Sequence, residues 1–281
     1  MQTANRLRRE PFDAAIILRN DFWWGAMLAY LAGIPKRYGY RTPESALFLT
    51  KALPFPENVH VTDQSIDLTR SFILDSGGVG CKWDGIPRLE PAPTDLEEAA
   101  AILEVHGLTR GEPFAVIHPG AGADIKLWNA RRFGEIARFL AATYGLKIVL
   151  TGSAAEKSLL DQVKTAAELP VVSLAGNLRI PQLAAVMKLA YLAVGVDSGP
   201  MHLAAAVGTP TVHLFGPSDP ALFGPRGEAG RHLVVSSSYL CVPCCDLSAR
   251  PNHNTGGECM SAIDVQMVED AIRRLLGEGN R

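Results

Sequence analysis

Apolar residues in this chain recur in two rhythms. Short unbroken runs bounded by glycine, proline or small polar residues alternate with longer stretches in which apolar positions return every three to four residues. The first rhythm predicts strands buried on both faces, the second amphipathic helices. FAVIHPG (114–120), KIVLTG (147–152), PVVSLAG (170–176), AYLAVGV (190–196) and TVHLFG (211–216) are the runs. Between them lie ARRFGEIARFLAATY (130–144), a segment from Ser153 to about Ala167, IPQLAAVMKLA (180–190) and a short helix over 200–207. Five strands joined by four helices across 113–216 imply a doubly wound parallel sheet, whose ligands sit at the carboxyl ends of its strands.

Local chemistry sharpens the boundaries. Asn129 caps one helix and Gly145 ends it; Ser153-Ala-Ala-Glu156 has capping-box spacing; Asp264 caps a last helix, DVQMVEDAIRRLL (264–276). Nearer the N-terminus, FDAAIILR (12–19) reads as a strand and 22–32 as a helix ended by Gly33. Residues 41–93 are rich in proline, glycine and short extended pieces. Thr94 to Glu97 again has capping-box spacing, opening a helix over 95–107. A domain boundary near 110, at TRGEP, divides the chain into an N-terminal domain (1–110), a C-terminal domain (111–262) and a terminal helix (263–281).

Composition narrows the classes of function. With 281 residues, 47% hydrophobic and 20% charged, the chain can bury two cores. A net charge of -2 argues against a nucleic-acid binder that relies on a basic surface. FWWGAMLAYLAGI (22–34) is too short to span a bilayer and follows no leader pattern, so the expected location is cytoplasmic. No internal repeat or low-complexity segment appears.

The candidate chemistry gathers at one sheet edge. In GVDSGPMHLAAAVGTP (195–210), Ser198 or Gly199 can cap a helix whose first position is Pro200, ended by Gly208 and Pro210. The head of that helix offers unpaired N–H groups and the positive end of a dipole, which suits a phosphate, although an ordinary capped turn has the same appearance. HPGAGADIKLW (118–128) brings Lys126 to the same edge, either as a phosphate ligand or as a solvated lysine. The glycines make no dinucleotide fingerprint. Of five cysteines, Cys241, Cys244 and Cys259 could join His253 around a structural zinc, or form a buried thiol group that ties down the last loop.

HPGAGADIKLWNARRFGEIARFL (118–140), IVLTGSAAE (148–156), SLAGNLRIPQLAAVMKLAYLAVGVDSGPMHLAAAVGTPTVHLFGPSDP (173–220), and CVPCC with the later HNTGGEC (241–259) together resemble family 9 glycosyltransferases, the bacterial heptosyltransferases. REPFDAAIILRNDFWWGAMLAYLAGIPKRYGY (9–40) is similar to the later half of that family's N-terminal domain. The resemblance implies a GT-B architecture of two Rossmann-like domains with parallel sheets. It implies inverting, metal-independent transfer of a heptose from an ADP-sugar to a lipid-linked core oligosaccharide of lipopolysaccharide, with no cofactor and with peripheral contact at the inner membrane. Carried over position by position, it assigns the nucleotide sugar to Gly120, Ala121, Gly122, Lys126, Glu156, Asp197, Ser198, Gly199 and His202. Glu156 then has two roles on offer, the capping box and the ribose or base. His202 lies either at the phosphates or simply at a helix end, and Asp197 should accept from sugar hydroxyls or nearby backbone N–H groups.

Family members open with a strand and a Gly-Asp turn that supplies the general base. No such unit precedes FDAAIILR, so the resemblance implies an N-terminal domain without its start, and Asp21 is the remaining candidate base. The alternative function is then a nucleotide-sugar-binding module that does not transfer; a nucleotide-sugar epimerase of the same architecture is a third reading. Lys36, Arg37 and Arg41 are candidates for anionic groups of the acceptor, or are solvated loop charges.

Overall fold

The computed structural model describes residues 2–80, 82–244 and 258–277. The chain divides into two compact units, Met1–Gly85 and Ile86–Arg281.

In the smaller unit the elements run α1 (Gln2–Leu7), β1 (Ala14–Ile17), α2 (Trp23–Leu31), β2 (Lys36–Tyr40), β3 (Lys51–Leu53) and α3 (Val61–Asp75). The strands form a parallel sheet in the order β1-β2-β3. Its core is small: Ala29, Ala32 and Ile34, with Leu7 and Ala15 packed against them. Three of these elements go beyond the sequence reading. β2 begins with two cations, β3 has only 3 residues, and α3 is capped by His60, whose ring Nδ1 accepts the Thr62 N–H at 3.2 Å. Histidine is not among the usual capping residues, so the start of α3 carries no ordinary signal.

The larger unit opens with α4 (Pro93–Val105), followed by β4 (Phe114–His118), α5 (Ala130–Tyr144), β5 (Lys147–Leu150), α6 (Lys157–Ala167), β6 (Val171–Ser173), α7 (Ile180–Leu189), β7 (Leu192–Val196), α8 (Gly199–Ala206) and β8 (Thr211–Phe215). Then come α9 (Pro220–Phe223), β9 (His232–Ser236), α10 (Glu258–Ser261) and α11 (Val265–Leu276). The anticipated strands are present, and β9 adds a sixth in the order β6-β5-β4-β7-β8-β9, every neighbouring pair parallel.

The sheet is buried on both faces, which is why its strands read as unbroken apolar runs. On one face Phe133, Ile136 and Leu140 of α5 pack with Leu160 of α6 and Val268 and Ile272 of α11. On the other, Ala99 and Leu103 of α4 meet Ala184 and Met187 of α7 and Met201 and Ala204 of α8. Burial of α4 in this second core places it in the larger unit, so the units part at Gly85 and Ile86 rather than near 110. α4 also starts earlier than expected, with Pro93 in its first turn and no side-chain cap from Ala92; the Thr94 to Glu97 spacing falls inside the helix. By contrast Asn129 caps α5, its Oδ1 accepting the Arg131 N–H at 2.8 Å, and Gly145 ends it at φ 67°. Asp264 caps α11 through the Met267 N–H at 2.8 Å.

Candidate functional site

The turn from β7 into α8 forms the centre of the site. Asp197 continues the β7 ladder, donating its N–H to the Leu214 carbonyl at 3.1 Å. Ser198 is extended (φ -155°, ψ 157°) and α8 begins at Gly199 with Pro200 in its first turn. The Ser198 hydroxyl makes no capping bond. Among the described residues its Oγ is a buried polar atom with no hydrogen-bond partner. A buried hydroxyl without a partner costs free energy, so its persistence at a helix head points to a ligand.

Lys126 reaches this turn from the loop after β4. The loop ends at Trp128, whose buried indole donates Nε1–H to the Ile263 carbonyl at 2.9 Å and meets Phe133 edge to face at 4.9 Å. That anchor fixes the single 3-10 turn Asp124–Lys126. Lys126 Nζ lies 2.6 Å from Asp197 Oδ2, and the two side chains are only 17% and 8% exposed, so water screens the pair little. His202 Nε2, one turn into α8, sits 3.2 Å from Asp197 Oδ1. Burial alone would raise the Asp197 carboxyl; hydrogen bonds from His202, Lys126 and Ser218 outweigh it and hold the group well below the usual carboxylate range. Asp197 thus accepts from side chains, where the sequence reading expects sugar hydroxyls or local backbone N–H groups.

Beside this cluster a cavity of about 360 Å³ opens between the loops after β4 and β5 and the head of α8. Gly120, Ala121, Gly122, Glu156, Ser198 and Gly199, all anticipated, line it. The Glu156 carboxylate accepts the Ser153 N–H at 2.7 Å, so the capping role is realised. The same carboxylate presses on Gly120, where a Cβ would collide with it; a larger residue here would push the Glu156 carboxylate out of its place. Two buried histidines join the picture unannounced. His118, at the end of β4, also lines the cavity and holds Thr151 Oγ1 at 3.0 Å through Nδ1; burial lowers it to about 4, against the opposing influence of Glu156. His213 on β8 contacts Thr211 Oγ1 at 2.9 Å through Nε2, and its ring centre is 5.6 Å from that of His202. Burial, with the charges of His202 and His232, lowers it to about 3. Only its place in HPG, at the end of an apolar run, would have singled out His118; nothing in TVHLFG distinguishes His213 from a core residue.

The remaining candidates are dispersed. Asp21 is exposed and held by Arg19 through both oxygens, at 2.9 and 2.5 Å; that hydrogen bonding lowers its carboxyl, which works against proton uptake. Lys36 and Arg41 flank β2 at opposite ends and are exposed, whereas the Arg37 guanidinium donates to the carbonyls of Phe48 (2.6 Å) and Ile34 (2.5 Å) and lies over Tyr30. Arg37 is therefore a clasp within its own unit, and the three cations do not converge. Cys241 is exposed, Cys244 half-buried and Cys259 buried; burial raises the Cys259 thiol. Among the described residues no group of three or more His, Cys, Asp or Glu is placed to hold a metal ion. His253, the remaining proposed zinc ligand, lies outside the described residues.

Comparison with known proteins adds a family. The pattern of glycosyltransferase family 9 (heptosyltransferase) matches residues 1–252. Lipopolysaccharide heptosyltransferase 3 of Escherichia coli (strain K12) is 36% identical over 180 residues, covering 62% of this chain and 50% of that protein; the chain thus spans about half the length of that relative. Lipopolysaccharide heptosyltransferase 2 of the same organism is 28% identical over 284 residues, 96% of this chain and 77% of that one. Among solved structures, the family 9 glycosyl transferase of Veillonella parvula DSM 2008 superposes with a TM-score of 0.73 at 25% identity, covering 98% of this chain and 77% of that one. E. coli ADP-heptose LPS heptosyltransferase II gives a TM-score of 0.71 at 22% identity, over 97% and 79%.

Proposed function

This chain belongs to glycosyltransferase family 9 (heptosyltransferase), and from that premise we propose that it transfers a heptose from an ADP-sugar to a lipopolysaccharide core acceptor, with inversion and without a catalytic metal. The observation that carries the reading is the unpartnered, buried Ser198 Oγ at the head of α8, beside Lys126 and a cavity large enough for part of a nucleotide. In this reaction the acceptor oxygen attacks the anomeric carbon from the face opposite the diphosphate. The bond to ADP breaks, and ADP leaves with its electron pair. The negative charge that develops on the leaving group meets the N–H groups at the head of α8, the Ser198 hydroxyl and the N–H bonds of Lys126 not used by Asp197. Asp197 acts as a brace, setting Lys126 and His202 in place.

The candidate for taking up the acceptor's proton is Asp21, whose pair with Arg19 must open first. With a lipid-linked acceptor goes the proposal that the protein works in the cytoplasm, peripheral to the inner membrane, with Lys36 and Arg41 available for acceptor phosphates. Among the described residues no helix is long and apolar enough to cross a membrane. The test is calorimetric titration with ADP, UDP and GDP, followed by incubation with ADP-heptose and a core acceptor, read by mass spectrometry. Selective ADP binding and a gain of one heptose are expected. Equal binding of the three nucleotides, or none, would overturn the donor assignment; ADP binding without transfer would favour the binding-module reading.

A further inference from the structure

One polar side chain in the cavity has no part in the reading above. His118 is 4% exposed, yet it lines the cavity with Ser153, Glu156 and Ser198. A buried imidazole is costly unless its nitrogens have partners. Nδ1 has one, Thr151 Oγ1 at 3.0 Å, while Nε2 makes no hydrogen bond among the described residues and, unlike Nδ1 of His213, is not among the sealed atoms without partners. It is therefore the nitrogen left to the cavity.

The surroundings select what it can bind. The Glu156 carboxylate packs on Gly120, two residues further along the same loop, and its charge acts on the His118 ring. The Glu156 carboxylate repels a phosphate, whereas the pair of carboxylate and neutral imidazole suits a hydroxyl group, which can donate to Glu156 and accept from the imidazole Nε2–H. Phosphate charge is already met elsewhere, at Lys126 and the head of α8. We propose that His118 is a further donor-binding residue, its Nε2 hydrogen-bonding a ribose hydroxyl that also contacts Glu156, with Thr151 holding the ring in the required orientation. The proposal rests on the donor-binding reading given above.

The test is a titration of the intact chain with ADP and with 2′,3′-dideoxy-ADP, which lacks both hydroxyls. The wild-type chain should prefer ADP. In His118→Ala that preference should shrink about fivefold, the loss of one hydrogen bond, while affinity for the dideoxy compound stays within about twofold. His118→Gln, whose amide reaches toward the same position, should recover part of the preference. A residue that merely fills space would weaken both ligands alike; an unchanged preference in His118→Ala and His118→Gln would overturn the proposal. Should His118→Ala fail to fold, His118→Gln and Thr151→Val carry the same comparison. A wild-type chain that binds ADP without preference would refute the ribose contact alone, whereas a wild-type chain that binds neither nucleotide would refute the donor reading and the proposal with it.

Discussion

Asp197 and Lys126 are 71 residues apart in sequence and 2.6 Å apart in space. Each was legible singly, because each stands at the carboxyl end of an apolar run; their pairing was not, because it depends on which strands lie side by side. The pairing changes what a substitution should do. Lys126→Ala should weaken ADP binding by about 1.5–3 kcal/mol, the usual worth of a charge-assisted hydrogen bond. It should also lower the melting temperature, since Asp197 keeps only its other partners; calorimetry of binding and of unfolding reads both. Ser198→Ala separates function from fold more cleanly. Its hydroxyl makes no bond in the protein, so removal should leave stability unchanged or slightly raised while ADP affinity drops about fivefold. A large loss of stability on denaturant titration would mean that the hydroxyl has a protein partner after all. His118 escaped the sequence reading because a histidine ending a strand is indistinguishable by type from one satisfied in the core.

At the scale of elements, legibility followed the strength of the caps. α5 has both signals, Asn129 at its start and Gly145 in the left-handed region at its end, and its bounds agree with those read from the pattern. Asn129→Ala should cost about 1 kcal/mol, measured as a shift in urea midpoint with an unchanged slope, because the helix stays in place on the sheet. α4 was displaced by a misleading Thr-x-x-Glu spacing, and Pro93 set the true start. α3 went unseen for want of an ordinary cap, although it has 15 residues. The smaller unit suffered most, since β2 opens on two cations and β3 on a third, so neither shows as an unbroken apolar run. The site suffered least: its loops follow the longest apolar runs, and glycines such as Gly120 stand where a side chain would unseat Glu156.

For the molecule as a whole, two buried neutral histidines make stability depend on pH. His118 and His213 are lowered in the folded state to about 4 and about 3, whereas in the unfolded chain they titrate near 6.5. Below that value the unfolded chain binds protons that the folded one refuses, so their contribution is complete above about pH 6.5 and is lost as pH falls toward 4. Each should contribute a slope of up to about 1.4 kcal/mol per pH unit in that window. His213→Leu should flatten the dependence between pH 7.5 and 5 in denaturant titrations; an unaltered slope would show that the ring is protonated in the fold. The sheet order has a different consequence, for the making of the protein. β4 is flanked by β5 on one side and on the other by β7, where Ala115 faces Leu192. During synthesis at roughly 5–20 residues per second, the second edge of β4 waits several seconds for its neighbour to leave the ribosome. Lys126 and the loop after β4 emerge long before Asp197 and α8 exist to receive them. No half-built donor pocket precedes the finished one, so a nascent chain released before about residue 206 should have no affinity for nucleotide and should instead engage chaperones through its bare apolar edge.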